Sequence, residues 1–131
     1  MLKPKNDTGV AIQATVRPFE DLAPRITRQR LIVEGYPEKS ITDVDIRTYL
    51  ICLSYQLGMR TLCQPVTHKS PAYGWAGWIH WETSGAHFYA WEEPHLFFSV
   101  DIYTCKLFEE ADAIAFTSDF FQCSRITSKG F

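Results

Sequence analysis

The stretch Trp75-Ala76-Gly77-Trp78-Ile79-His80-Trp81-Glu82-Thr83-Ser84-Gly85-Ala86-His87-Phe88-Tyr89-Ala90-Trp91 decides the fold. Side chains of an extended chain alternate between two faces, so Trp75, Gly77, Ile79 and Trp81 share one side while Ala76, Trp78, His80 and Glu82 point to the other. Thr83-Ser84-Gly85 reads as a turn between adjacent strands, and beyond it His87 and Tyr89 share a face. A further strand runs from Leu96 to Cys105, with Leu96, Phe98, Val100 and Ile102 alternating against Phe97, Ser99, Asp101, Tyr103 and Cys105. Consecutive strands joined by short turns predict an antiparallel sheet.

Upstream, Arg28 to Tyr36 is β-rich and closed by Gly35 and Pro37, which predicts a first strand. Ser40 is positioned to cap a helix from Ile41, with Asp43 and Asp45 near its positive end and Gly58 to stop it. Ile41, Val44, Leu50, Leu53 and Leu57 outline its buried face. Arg60 to Thr67 reads as a strand and His68 to Gly74 as a polar loop. Leu107, Phe108, Ala111, Ile114 and Ala115 outline a second amphipathic helix, and Phe121 to Thr127 a last strand. Residues 1–25, with Pro4, Pro18 and Pro24, read as an N-terminal arm or extension preceding a single domain over 26–131. This order predicts an α+β two-layer sandwich, an antiparallel β-sheet with two helices on one face. Because aromatic residues lie on both sides of the strands, the uncovered side is expected to pack on a second subunit as a homodimer.

Hydrophobic residues make up 46% of the 131 and aromatics 15%, the composition of a folded domain rather than a disordered one. Thirteen Lys and Arg against fifteen Asp and Glu leave a net charge of −2. Without a basic run there is no footprint for nucleic acid. No stretch has the length and apolarity of a membrane span, and the polar start lacks a signal-peptide core, so a cytoplasmic location is expected. Cys52, Cys63, Cys105 and Cys123 include no C-x-x-C pair, hence no metal site or redox dithiol is signalled. Cys52, Cys63 and Cys123 are expected to be buried free thiols.

A hydroxyl at Ser84, just after an extended segment, followed by the thiol of Cys105 at a strand end, resembles the small prokaryotic S-adenosylmethionine decarboxylases. The resemblance runs from Arg28 to Trp91 and, with one inserted residue, on through Cys105. It is carried by Leu31-Ile32-Val33-Glu34, Tyr73-Gly74, Gly77, Ser84, Trp91, Glu93 and, most specifically, Asp101-Ile102-Tyr103-Thr104-Cys105.

That resemblance implies self-cleavage between Thr83 and Ser84, with the former Ser84 becoming a pyruvoyl cofactor and no metal required. Such a carbonyl acts as the electron sink for decarboxylation. It further implies S-adenosylmethionine as substrate and a product used for spermidine. Cys105 would return the proton to the substrate, Tyr73 would stack on the adenine, and Glu93 would approach the substrate's polar groups. The sequence also departs from the family's Glu-Ser-His and from its second histidine five residues after the serine: these positions hold Thr83, Gly85 and Tyr89. Ala76 replaces a processing serine and Glu92 a proline. His87 is a candidate to take over the proton transfer of self-cleavage, with a partly buried, structural histidine as the alternative. Thr83-Ser84-Gly85 as a plain turn and Cys105 as a packed thiol remain open, as does Tyr73 as a loop hinge. Two other functions stay open as well: a pyruvoyl decarboxylase of another amino acid such as arginine or ornithine, and a non-cleaving homologue that binds a nucleoside or serves as a regulatory subunit.

Overall fold

Six strands pair antiparallel into one sheet in the computed structural model, which describes residues 17–131. The elements are β1 (Gln29–Tyr36), α1 (Asp43–Gln56), β2 (Val66–Ser70), β3 (Gly74–Trp81), β4 (Ser84–Trp91), β5 (Phe97–Thr104), α2 (Glu110–Phe121) and β6 (Arg125–Gly130). Their order across the sheet is β2-β3-β4-β5-β1-β6. Both helices pack on one face, α1 against β2 and β3, α2 against β1 and β6. The α+β sandwich expected from the sequence is therefore the observed one. Residues 17–28 hold no helix or strand and carry the exposed side chains Phe19 and Leu22; the remainder of the expected arm lies outside the described residues.

Between the layers, Leu31 and Val33 of β1, Ile79 and Trp81 of β3, Ala86 and Phe88 of β4, and Phe98, Val100 and Ile102 of β5 are buried. Tyr49 of α1 stands at the centre, with the rings of Phe88, Phe120 and Phe121 centred 5.3, 5.4 and 5.0 Å away. Its hydroxyl lies 2.7 Å from Thr117 Oγ1, whose own proton goes to the Ala113 carbonyl, so Tyr49 is the donor. Trp81 Nε1 likewise donates to Ser54 Oγ, which donates to the Leu50 carbonyl. The buried polar atoms are thus satisfied within the helix layer. Gly77 admits α1 this closely: a Cβ there would lie 2.7 Å from Ile46 Cγ2.

Several boundaries differ from the sequence reading. Helix α1 is capped by Thr42, not Ser40, because Thr42 Oγ1 accepts from the Asp45 amide while Asp45 Oδ2 accepts from the Thr42 amide. This reciprocal pair satisfies two of the otherwise unpaired groups of a helix start. Its buried face is Ile46, Tyr49, Leu50 and Leu53, and Val44 is exposed. Gly58, at φ +66°, ends it as expected. The second strand begins at Val66 because Pro65 cannot donate to a ladder, and His68-Lys69-Ser70 extend it as a polar sheet edge rather than forming a loop. Phe121 closes α2 instead of opening a strand, since Ala113, Thr117 and Phe121, four residues apart, form its buried stripe. Ala111 and Ala115 are exposed. Cys63 is exposed rather than buried, and Cys52 and Cys123 are half-buried.

The face of the sheet opposite the helices is not covered by any element among the described residues. A file of rings crosses it: Trp78, His80, His87, Tyr89, Trp91 and Phe97, with successive centroids 4.4, 6.5, 6.5, 6.2 and 4.8 Å apart.

Candidate active site

Strands β3 and β4 are joined by the tight turn Glu82-Thr83, because Trp81 and Ser84 are already partners in the ladder. On its other side Ser84 is the partner of Thr104, the last residue of β5. The alternation of β5 then carries Cys105 to the position just beyond, exposed, and its amide donates to the Thr83 carbonyl at 2.9 Å. Ser84 and Cys105, distant in sequence, therefore meet at one end of two neighbouring strands.

Ser84 has φ +127°, a left-handed value that a residue with a Cβ rarely adopts. The physical reason is steric. About the N–Cα bond, the Cβ of an L residue is offset by a third of a turn from its own carbonyl carbon. At this φ the offset brings Cβ almost into line with the preceding carbonyl carbon, that of Thr83. In an ordinary strand Cβ points well away from it. Cβ carries the hydroxyl, so the conformation that is unfavourable for most residues is the one from which a serine oxygen can close a five-membered ring on the Thr83 carbon. The Cys105 N–H on the Thr83 oxygen polarises that same carbonyl and is placed to stabilise charge that develops there.

The Thr83 side chain is also held. Thr104 Oγ1 donates to Thr83 Oγ1 at 3.1 Å, and Thr83 Oγ1 donates to Met59 Sδ at 3.4 Å. Gly85 is needed for the close hairpin, since a Cβ there would run into the Ile79 carbonyl oxygen. A histidine at that position, as in the family pattern, would not fit this backbone.

The other expected site residues lie elsewhere. His87 is exposed and, by alternation, faces the open side with Tyr89 and His80, whereas Ser84 falls in the row of Ala86 and Phe88. Within one chain the two are not brought together. Tyr73 and Glu93 are both exposed and lie at the far end of β4, where the Glu92 amide meets the Tyr73 carbonyl. The strand is eight residues long, so its ends are seven steps apart, roughly 23 Å at about 3.3 Å per residue. That far end also borders a cavity of about 560 Å³ on the open face, lined by Glu34, Tyr36, Trp91, His95, Phe97 and Arg125 among others.

Met59 has no place in the sequence pattern, and Thr104 enters it only within the Asp101–Cys105 match, with no role of its own. Thr104 continues the apolar row of Val100 and Ile102, so a hydroxyl in a buried row was the available signal. Among the described residues no cluster of three metal-ligating side chains is found, and no helix is long and apolar enough to cross a membrane.

The sequence model of the S-adenosylmethionine decarboxylase family matches residues 29–131. A solved structure, the adenosylmethionine decarboxylase from Aquifex aeolicus VF5, is similar in fold at a TM-score of 0.66 and 18% identity, over 81% of this chain and 89% of that one. A comparison with curated proteins finds no sequence match.

Proposed function

Because the chain belongs to the S-adenosylmethionine decarboxylase family, we propose that it is a pyruvoyl-dependent decarboxylase that cleaves itself between Thr83 and Ser84 and acts on S-adenosylmethionine to supply spermidine synthesis. The observation that carries this reading is the conjunction at Ser84: a backbone torsion that aims its side chain at the Thr83 carbon, and a Cys105 amide on the Thr83 oxygen.

The proposed cleavage uses only the chain and water. Ser84 Oγ adds to the Thr83 carbonyl carbon, the bond to the Ser84 nitrogen breaks, and the hydroxyl proton leaves with the new amine, giving an ester. Loss of the Ser84 α-proton expels the Thr83 carboxylate from Cβ. Water then displaces the nitrogen as ammonia, leaving a ketone at the start of the second chain. This partly buried strand end fits such a group, because the new terminus stays laddered between β3 and β5. The pyruvoyl carbonyl supplies an electron sink for the carbanion left by carbon dioxide. The exposed Cys105 thiol, on the neighbouring strand, returns a proton to the substrate.

A homodimer belongs to the same reading. Tyr73, Glu93 and the aromatic cavity are a strand's length from Ser84 in one chain, and among the described residues no element covers the ring-lined face between them. A two-fold axis lying between two such faces and running across the strands would set the Tyr73–Glu93 end of one subunit against the Ser84–Cys105 end of its partner. It would also turn His87 of one subunit toward the other.

One observation favours a non-cleaving homologue instead: the glutamate and two histidines of the family pattern are Thr83, Gly85 and Tyr89 here, and the hairpin leaves no room for a side chain at Gly85. Release of carbon dioxide from carboxyl-labelled S-adenosylmethionine, arginine and ornithine, with the Ser84→Ala variant alongside, tests the proposal. Turnover of S-adenosylmethionine alone, lost in the variant, is expected. Release from arginine or ornithine instead would reassign the substrate, and release from none would favour the non-cleaving homologue.

A further inference from the structure

We infer that Thr104 is a positioning residue for scission of the Thr83–Ser84 bond, an inference that rests on the self-cleaving reading above. Thr104 is completely buried, at 0% exposure, and stands directly across the ladder from Ser84. A hydroxyl in that row requires partners. It accepts the Lys106 N–H at 3.1 Å, donates to Thr83 Oγ1 at 3.1 Å, and lies 3.9 Å from Met59 Sδ.

The directions of these bonds follow from the atoms. An amide N–H only donates, so the Lys106 contact uses a lone pair of Thr104 and leaves its proton for Thr83. The Thr83 proton then points to the Met59 thioether, a weak acceptor. The line runs one way, from Lys106 through Thr104 and Thr83 to Met59, and Lys106 Nζ closes it by donating to the Gly58 carbonyl at 2.6 Å.

Thr83 is consequently gripped twice by one strand end: its carbonyl by the Cys105 amide, its side chain by the Thr104 hydroxyl. At φ +127° the N–Cα bond of Ser84 tends to rotate toward ordinary strand values. That rotation would turn the Thr83–Ser84 peptide plane, lift the Thr83 oxygen off the Cys105 N–H and swing the serine Cβ away from the carbon it must reach. The Thr104–Thr83 bond opposes the rotation without touching the reacting atoms. Its role is confined to alignment.

The test follows the appearance of the two fragments over time in the purified full chain, for the wild type, Thr104→Val, Thr104→Ser, Thr83→Val and the Thr104→Val/Thr83→Val double variant, with unfolding midpoints in parallel. Thr104→Val is expected to slow scission by about tenfold, the equivalent of about 1.4 kcal/mol. Thr104→Ser should restore the rate, and the double variant should be no slower than Thr83→Val, because both remove the same bond. A Thr104→Val chain that cleaves at the wild-type rate, or a Thr104→Ser chain as slow as the valine, overturns the inference while leaving self-cleavage in place. If Thr104→Val does not fold, Thr83→Val, partly exposed, decides by the same criterion. A wild-type chain that stays whole removes the self-cleaving reading and the inference with it.

Discussion

The backbone amide of Cys105 donates to the carbonyl oxygen of Thr83 at 2.9 Å, across the ends of two strands. The contact belongs to the main chain, so replacing the cysteine side chain leaves it in place. Cys105→Ala is expected to cleave itself and yet to lose decarboxylation by about 100-fold or more, the scale of a missing general acid. Fragment yield on a denaturing gel, set against carbon dioxide release, checks the division. Loss of both together would give the thiol a part in scission.

At Gly85 the hairpin leaves no room for a side chain. Restoring the family's histidine with Gly85→His should destabilise the protein by about 2 kcal/mol rather than speed processing. A thermal melt with an unchanged midpoint would contradict the close approach of Gly85 to Ile79.

Burial pushes the Tyr49 phenol well above its ordinary value of 10.0. Above that pH the unfolded chain gives up a proton that the folded chain keeps, so unfolding is favoured. Stability from this group is complete below pH 10.0 and declines as pH rises beyond it. Tyr49→Phe should cost about 1 kcal/mol at neutral pH for the lost bond to Thr117 and should flatten the alkaline decline. Denaturant midpoints from pH 7 to 11 read both; an equally steep alkaline loss in the variant would place its source elsewhere.

The ring-lined face supplies a prediction about assembly. Trp78→Glu puts a charge at the head of the ring file on that face, where a partner subunit would have to desolvate it. Sedimentation equilibrium should give a dimer for the wild type and a monomer with the same far-ultraviolet spectrum for the variant. A monomeric wild type at tens of micromolar would contradict the shared-site arrangement.

Much of the architecture was legible because strand alternation is a local signal: the Phe98, Val100 and Ile102 row of β5 and the Gly58 stop of α1 emerge as read. Local signals also misled. Ser40 and Thr42 are both competent caps, and the choice falls to Thr42 through its exchange with Asp45. Phe121 looks strand-like, but Tyr49, contributed by the other helix, gives its ring a helical setting. At the site, Ser84 and Cys105 could be singled out by resemblance. The Ser84 torsion and the Thr104–Thr83–Met59 line could not, since they arise from contacts between residues 21 to 45 positions apart. The separation of Tyr73 and Glu93 from Ser84 was likewise invisible until the length of β4 was laid out.

Self-cleavage depends on one group, the Ser84 hydroxyl. Intact-mass measurement of the purified protein after incubation, with Ser84→Ala as control, tests it most directly. Two chains are expected, residues 1–83 and a second beginning at the former Ser84 with its amino group replaced by a ketone, and a single uncut chain for the variant. A wild-type protein that keeps the full 131-residue mass through prolonged incubation would contradict it.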